Sequence, residues 1–203
     1  MTIFRNKLFV AVTVGHLVID VFNSMGTVLV TVLSSSLALN NAQIGQATGA
    51  YSLLAAITQP LFGWLADKIG TRWLGPVSIT WTISFITLAV FAAQTTHNFL
   101  LFLIPFSLAA LGSGAFHPQA AMHSTTAVMH QAALGTGLFF LFGQSGLAGG
   151  PFLGGLIMDN VGISGFYVLA ALPIPFILFM VYAMRHTSIS PSLLGSSAWE
   201  KLT

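Results

Sequence analysis

The sequence predicts an all-α membrane protein of six transmembrane helices arranged as a 3+3 inverted repeat. Three observations carry this expectation: six long apolar runs, basic residues confined to alternate connections between them, and a turn signature closing the second run that returns at the end of the fifth.

The apolar runs come first. Hydrophobic residues make up 55% of the 203 positions and Asp, Glu, Lys and Arg together 5%, with a mean hydropathy of +0.88. Soluble domains carry about 25% charged residues, so six Lys/Arg and four Asp/Glu cannot cover a water-facing surface. A hydrocarbon core of about 30 Å takes about 20 apolar residues per helix. Runs of that order cover 8–33, 43–66, 73–93, 99–116, 134–158 and 165–184. Arg5 and Lys7 precede the first run, which is too long for the apolar region of a signal peptide and is read as a retained helix. Residues 1–186 form the bundle; 187–203, with Ser, Pro and Gly and little apolar pattern, read as a cytoplasmic tail or the start of a linker.

Orientation follows from the basic residues. Arg5 and Lys7 lie before the first span, Lys68 and Arg72 between the second and third, Arg185 after the sixth and Lys201 in the tail. All fall on one side of a six-span drawing, and the positive-inside rule makes that side cytoplasmic. The expectation is a multi-pass protein of the plasma membrane, the inner membrane in a bacterium, with both termini in the cytoplasm.

The repeat is local but specific. The second span closes with Pro60-Leu61-Phe62-Gly63 and then Asp67-Lys68-Ile69-Gly70. The fifth closes with Pro151-Phe152-Leu153-Gly154 and then Asp159-Asn160-Val161-Gly162. Three helices separate the two copies, which places Asp67 on the cytoplasmic side and Asp159 on the other. Two three-helix units of opposite topology are a building plan of transporters.

These residues resemble a known family. Gly63-Trp64-Leu65-Ala66-Asp67-Lys68-Ile69-Gly70-Thr71-Arg72 is similar to the loop signature of the major facilitator superfamily, G-x-L-A-D-[RK]-x-G-[RK]-[RK], departing from it at Thr71. Gly137, Gly146, Gly150-Pro151 and Gly154-Gly155 resemble the G-x8-G-x3-G-P-x2-G-G pattern of that superfamily's drug–proton antiporters. His16-Leu17-Val18-Ile19-Asp20, Ala42-Gln43-Ile44-Gly45 and Gly114-Ala115-Phe116-His117-Pro118 look like its fosmidomycin-resistance branch, with Gln119 where that branch often has an acid. Many proton antiporters of the superfamily carry an arginine in span four; here Leu108, Ala109, Ala110 and Leu111 precede Gly112-Ser113-Gly114. Members of the superfamily have twelve spans, so the resemblance implies the N-terminal half of a transporter and a second six-helix half as partner.

Chemistry is expected around Asp20. It lies about 18 Å into its span at 1.5 Å per residue, close to the bilayer midplane, where an acid costs about 2.5–3.5 kcal/mol on insertion scales. At 100° per residue, His16, Asn23 and Thr27 share its stripe, with Thr13 and Thr31 at the edge. The seam reads as a proton or substrate site, and the alternative is a structural hydrogen-bond seam between spans. Gln59, His117 and Gln144 are further cavity candidates. Gly63, Asp67, Lys68, Gly70 and Arg72 read as a gating loop, in which Asp67 and Arg72 latch helices together. Gly146, Gly150 and Gly154 form a small-residue row for close helix approach, and Pro151 can kink the span.

His117, His123 and His130, spaced by six and seven, do not share a helix face, so no metal centre is expected from them, and His123 and His130 read as solvated or interfacial. No phosphate-binding G-x4-G-K-[ST] loop is present, no catalytic triad or carboxylate pair occupies a soluble site, and the charge pattern shows no nucleic-acid footprint. The expected function is proton-coupled export of a small molecule or drug by alternating access, without a cofactor and not as an enzyme. The alternatives are a metabolite or sugar uniporter or symporter, or a non-transporting six-helix subunit that binds a partner.

Overall fold

The computed structural model describes residues 3–187; the expected tail, apart from Thr187, lies outside the described residues. The chain is helical, with no strand among the described residues. The helices are α1 (Lys7–Ser34), α2 (Asn41–Ile69), α3 (Leu74–Thr96), α4 (Phe99–Thr126), α5 (Ala132–Asn160), α6 (Ser164–Ala171) and α7 (Ile174–Met184).

Their starts are built from short polar residues. Asn6 Oδ1 accepts from Phe9 N at 3.1 Å, and Asn98 Oδ1 from Leu100 N at 2.9 Å. Asn40 and Gln43 form a reciprocal capping box, each side chain accepting from the other's backbone N–H at 2.9 and 3.0 Å. The Ala42-Gln43-Ile44-Gly45 segment thus opens α2. The two copies of the repeat each end on a glycine of positive φ. Gly70 has φ +81 and Gly162 φ +71, a left-handed turn that glycine adopts without Cβ strain.

Two boundaries differ from expectation. The fourth span was expected to end at Phe116, yet α4 runs through Pro118 to Thr126. Proline there removes one backbone bond, to the Gly114 carbonyl, and the helix-forming stretch Gln119-Ala120-Ala121-Met122 continues beyond it. The sixth span is divided at Leu172 and Pro173, since Pro173 has no N–H for the helix ladder. Taken together, α6 and α7 still make one apolar crossing, and five segments of the chain are long and apolar enough to span a membrane. The remaining crossing, α2, matches them in length at 29 residues, about 43 Å at 1.5 Å per residue. Gln43, Gln46, Thr48, Ser52 and Gln59 interrupt its apolar run.

The two triplets interlock. α1 packs along α5, and α4 packs along α2, so the first helix of each unit lies against the second helix of the other. Glycine allows the α1–α5 approach. A Cβ on Gly146 would stand 2.5 Å from the Leu17 carbonyl oxygen, and one on Gly150 would strike Ser24 and the Val21 carbonyl. One on Gly154 would stand 2.7 Å from Met25 Cγ. Gly137 and Gly155, by contrast, have open space where a Cβ would go. Gly112 and Gly114 of α4 do the same work toward α3 and α2, against Thr82 and Thr58.

One end of the bundle gathers the basic residues. Lys7 Nζ donates to the Tyr182 hydroxyl at 3.0 Å, and the Arg185 guanidinium lies 4.4 Å from the centre of the same ring. Asn6 Nδ2 donates to the Ala127 carbonyl at 2.7 Å, and Thr71 Oγ1 meets His123 Nε2 at 2.7 Å. The turn holding Lys68 and Arg72 therefore lies at the same end as Arg5, Lys7 and Arg185.

Candidate functional site

Asp20 stands halfway along α1 and is 4% exposed. Three side chains converge on its carboxylate. His16 Nε2 lies 3.2 Å from Oδ2, His117 Nε2 lies 3.3 Å from Oδ1, and Asn23 Nδ2 donates to Oδ1 at 3.0 Å. His16 and Asn23 come from the same face of α1 by helical spacing, whereas His117 reaches across from α4.

A second layer holds these groups. His16 Nδ1 is 2.8 Å from the Phe139 carbonyl of α5, and its ring stacks on Phe139 with centroids 4.0 Å apart. The space for the imidazole exists because position 143 is glycine, where a Cβ would run into the ring. His117 Nδ1 is 2.7 Å from the Ser113 carbonyl one turn earlier. Asn23 also donates to Ser113 Oγ at 3.0 Å and accepts from the Tyr51 hydroxyl of α2 at 2.5 Å. α1 and α4 thus supply the groups that touch the carboxylate, and α2 and α5 hold those groups in place.

The carbonyl partners settle the proton positions. A carbonyl oxygen only accepts, so both Nδ1 atoms carry hydrogen, and both Nε2 atoms are turned to Asp20. A neutral imidazole of that tautomer would oppose a lone pair to a carboxylate oxygen. Each of the two N···O contacts is attractive only with a positive centre in it: one proton in each, or a cation shared between them.

Other expected residues fall elsewhere. Thr27 is exposed, its hydroxyl turned back to the Ser24 carbonyl at 2.8 Å. Gln59 and Gln144 are exposed on α2 and α5 and make no side-chain bond to the Asp20 cluster. In the loop between α2 and α3, neither Asp67 nor Arg72 has an ion-pair partner among the described residues; Arg72 lies over the Trp73 ring at 5.1 Å. A tie between this loop and α4 is made by Thr71, the residue that departs from the loop signature, whose buried hydroxyl meets His123. His123, expected to be solvated or interfacial, is 2% exposed for that reason. Gln119 is fully enclosed with both amide atoms unpartnered, so an uncharged side chain occupies the position after His-Pro.

Ser113, Tyr51, Gly143 and the Phe139 carbonyl were not singled out from sequence. Gly143 had a legible signal, because it extends the Gly146, Gly150, Gly154 row by one turn toward the N-terminus. Tyr51 and Ser113 had none, since their role depends on which helices touch.

A bundle of apolar helices in two interlocked triplets, with an ionisable cluster buried at mid-span, defines an integral membrane protein of transporter type. The family model described as Major Facilitator Superfamily matches residues 12–200, and the chain belongs to that superfamily. It is 29% identical over 164 residues to the fosmidomycin resistance protein of Escherichia coli, a match covering 80% of this chain and 39% of that protein. It is 25% identical to an uncharacterised MFS-type transporter of Bacillus subtilis, over 90% of this chain and 45% of the relative. An MFS-type efflux pump of Mycosarcoma maydis is 28% identical over 76% of the chain and 24% of its own length. The chain therefore spans less than half the length of these relatives.

Proposed function

We propose that this chain is one six-helix half of a proton-coupled exporter of small molecules, working by alternating access against a second six-helix half. It would lie in the plasma membrane, with both termini on the cytoplasmic face, as the clustering of basic residues at one end supports. The observation that carries the proposal is the Asp20 carboxylate between His16 and His117 at mid-span. A buried ionisable group in a transmembrane helix marks a substrate or ion path, and substrate sites of such transporters lie near the midplane between repeats.

The geometry supports a coupling route. With a proton in each N···O contact, α1 and α4 are held together through His117. Losing one proton turns one contact repulsive. His16 is wedged between Phe139 and Gly143 and shares a helix with Asp20, so the contact that opens is the one to His117. Release of a proton and separation of α1 from α4 then become one event. The identity to a fosmidomycin resistance protein and an efflux pump favours export, with fosmidomycin as the first substrate to try.

The test is Asp20→Asn in a complete transporter. Substrate-driven pH change and uphill export should vanish, while counterflow of substrate without a gradient persists, because that exchange need move no proton. Normal coupled export by the mutant would make Asp20 structural.

A further inference from the structure

We propose that His16, Asp20 and His117 form a binding site for one divalent transition-metal cation of the zinc class. Their ligand atoms lie within 4.8 Å of one another. His16 Nε2 lies 3.2 Å from Oδ2 and His117 Nε2 3.3 Å from Oδ1, each close to the about 3.4 Å between two tetrahedral ligands at metal bonds of about 2.0–2.1 Å. The nitrogens face different oxygens of the one carboxylate, so a small turn of the Asp20 side chain offers one oxygen to an ion between both imidazoles. Two imidazoles and a carboxylate, with no thiolate, suit zinc, cobalt and nickel.

The surroundings fit a metal as well as the donors do. A metal-ligating histidine characteristically gives its other ring N–H to a carbonyl or carboxylate, which fixes the tautomer and aims the ligand. His16 does this to Phe139 and His117 to Ser113. Asp20 is oriented by Asn23, which is itself held by Ser113 and Tyr51.

Charge makes the same point. An ionised Asp20 with two neutral imidazoles carries one negative charge. Two protons bring the cluster to one positive charge, and so does one divalent cation. The cation therefore satisfies both contacts at the electrostatic level of the doubly protonated site and without a second acid, and Asp67 and Asp159 are exposed at helix ends. His117, with 23% of its side chain exposed, forms the open edge through which the ion enters and a water completes the shell.

The experiment uses the full chain, carrying no polyhistidine tag, in lipid nanodiscs. Equilibrium dialysis against Zn2+ and visible absorption on adding Co2+ read the stoichiometry and coordination. One ion per chain is expected, with the visible bands of four-coordinate cobalt. His117→Gln and Asp20→Asn should each weaken binding by about 100-fold or more, as loss of a ligand should exceed the 10–100-fold typical of outer-shell changes. His130→Gln, at an exposed site, should change nothing. Zn2+ should also raise the unfolding temperature of the wild type and not of His117→Gln, which lies at the exposed edge and keeps the test valid if Asp20→Asn folds poorly. Absence of binding at millimolar metal, or one-to-one binding unchanged in His117→Gln, would overturn the proposal. The readout needs no transport, so its failure is separate from failure of the export reading.

Discussion

Gly146→Ala places a methyl group where α1 and α5 touch backbone to backbone. The new Cβ would stand 2.5 Å from the Leu17 carbonyl oxygen and 3.0 Å from Asp20 Cβ, against 3.4 Å or more in ordinary contact. Neither neighbour is the free end of a side chain, so the relief available is separation of the two helices by most of an ångström. Overpacking of this kind costs about 1–3 kcal/mol. For a chain of this size each kcal/mol shifts Tm by about 2–4 °C, so Gly146→Ala should melt lower by roughly 2–12 °C. Asp20 Cβ is one of the two atoms struck, so the same displacement disturbs the ligand set and zinc affinity should fall too. Gly155→Ala is the matched control, since nothing lies within 4 Å of its Cβ. The assay is thermal unfolding of both variants in one detergent, with zinc dialysis alongside. Equal melting of the two variants would refute the claim that the glycine row sets the α1–α5 distance.

Two other substitutions test the loop at the basic end of the bundle. Thr71→Val removes the partner of the buried His123 and leaves a ring nitrogen unsatisfied, so unfolding should become easier by about 1–3 kcal/mol; chemical denaturation of the detergent-solubilised chain reads this. Asp67→Asn, at an exposed position with no ion-pair partner among the described residues, should leave stability and substrate affinity unchanged but slow the transport cycle of a complete transporter. A collapse in affinity with normal cycling would assign Asp67 to the binding site instead.

The helices were legible because the bilayer imposes their length. Six runs of apolar residues have few other physical explanations at this composition, and the one-sided basic residues ordered them. The polar seam on α1 was legible for a related reason: 100° per residue places His16, Asp20 and Asn23 on one face whatever surrounds them. The end of α4 differs from the expectation because Pro118 removes only one backbone bond and the helix-forming residues after it carry the helix on to Thr126. The division of the sixth span at Pro173 shows the opposite outcome for the same residue type.

By itself the sequence determined the helical class, the number of crossings, the likeness of the two triplets and the one ionisable face of α1. These are properties of a single helix in an apolar solvent, and a local pattern suffices for them. Only the tertiary structure decided what faces Asp20. His117 lies 97 positions away and Phe139 lies 123 positions from His16; Tyr51 comes from a third helix. Helical periodicity says which side a residue points to but not which helix fills that side. That choice was made by glycine, which lets α5 close on α1 until the His16 ring rests against Gly143 and its Nδ1 meets the Phe139 carbonyl. The second imidazole arrives because α4 continues past His117 instead of ending at it, and two histidines and an aspartate from separate stretches of chain become one site.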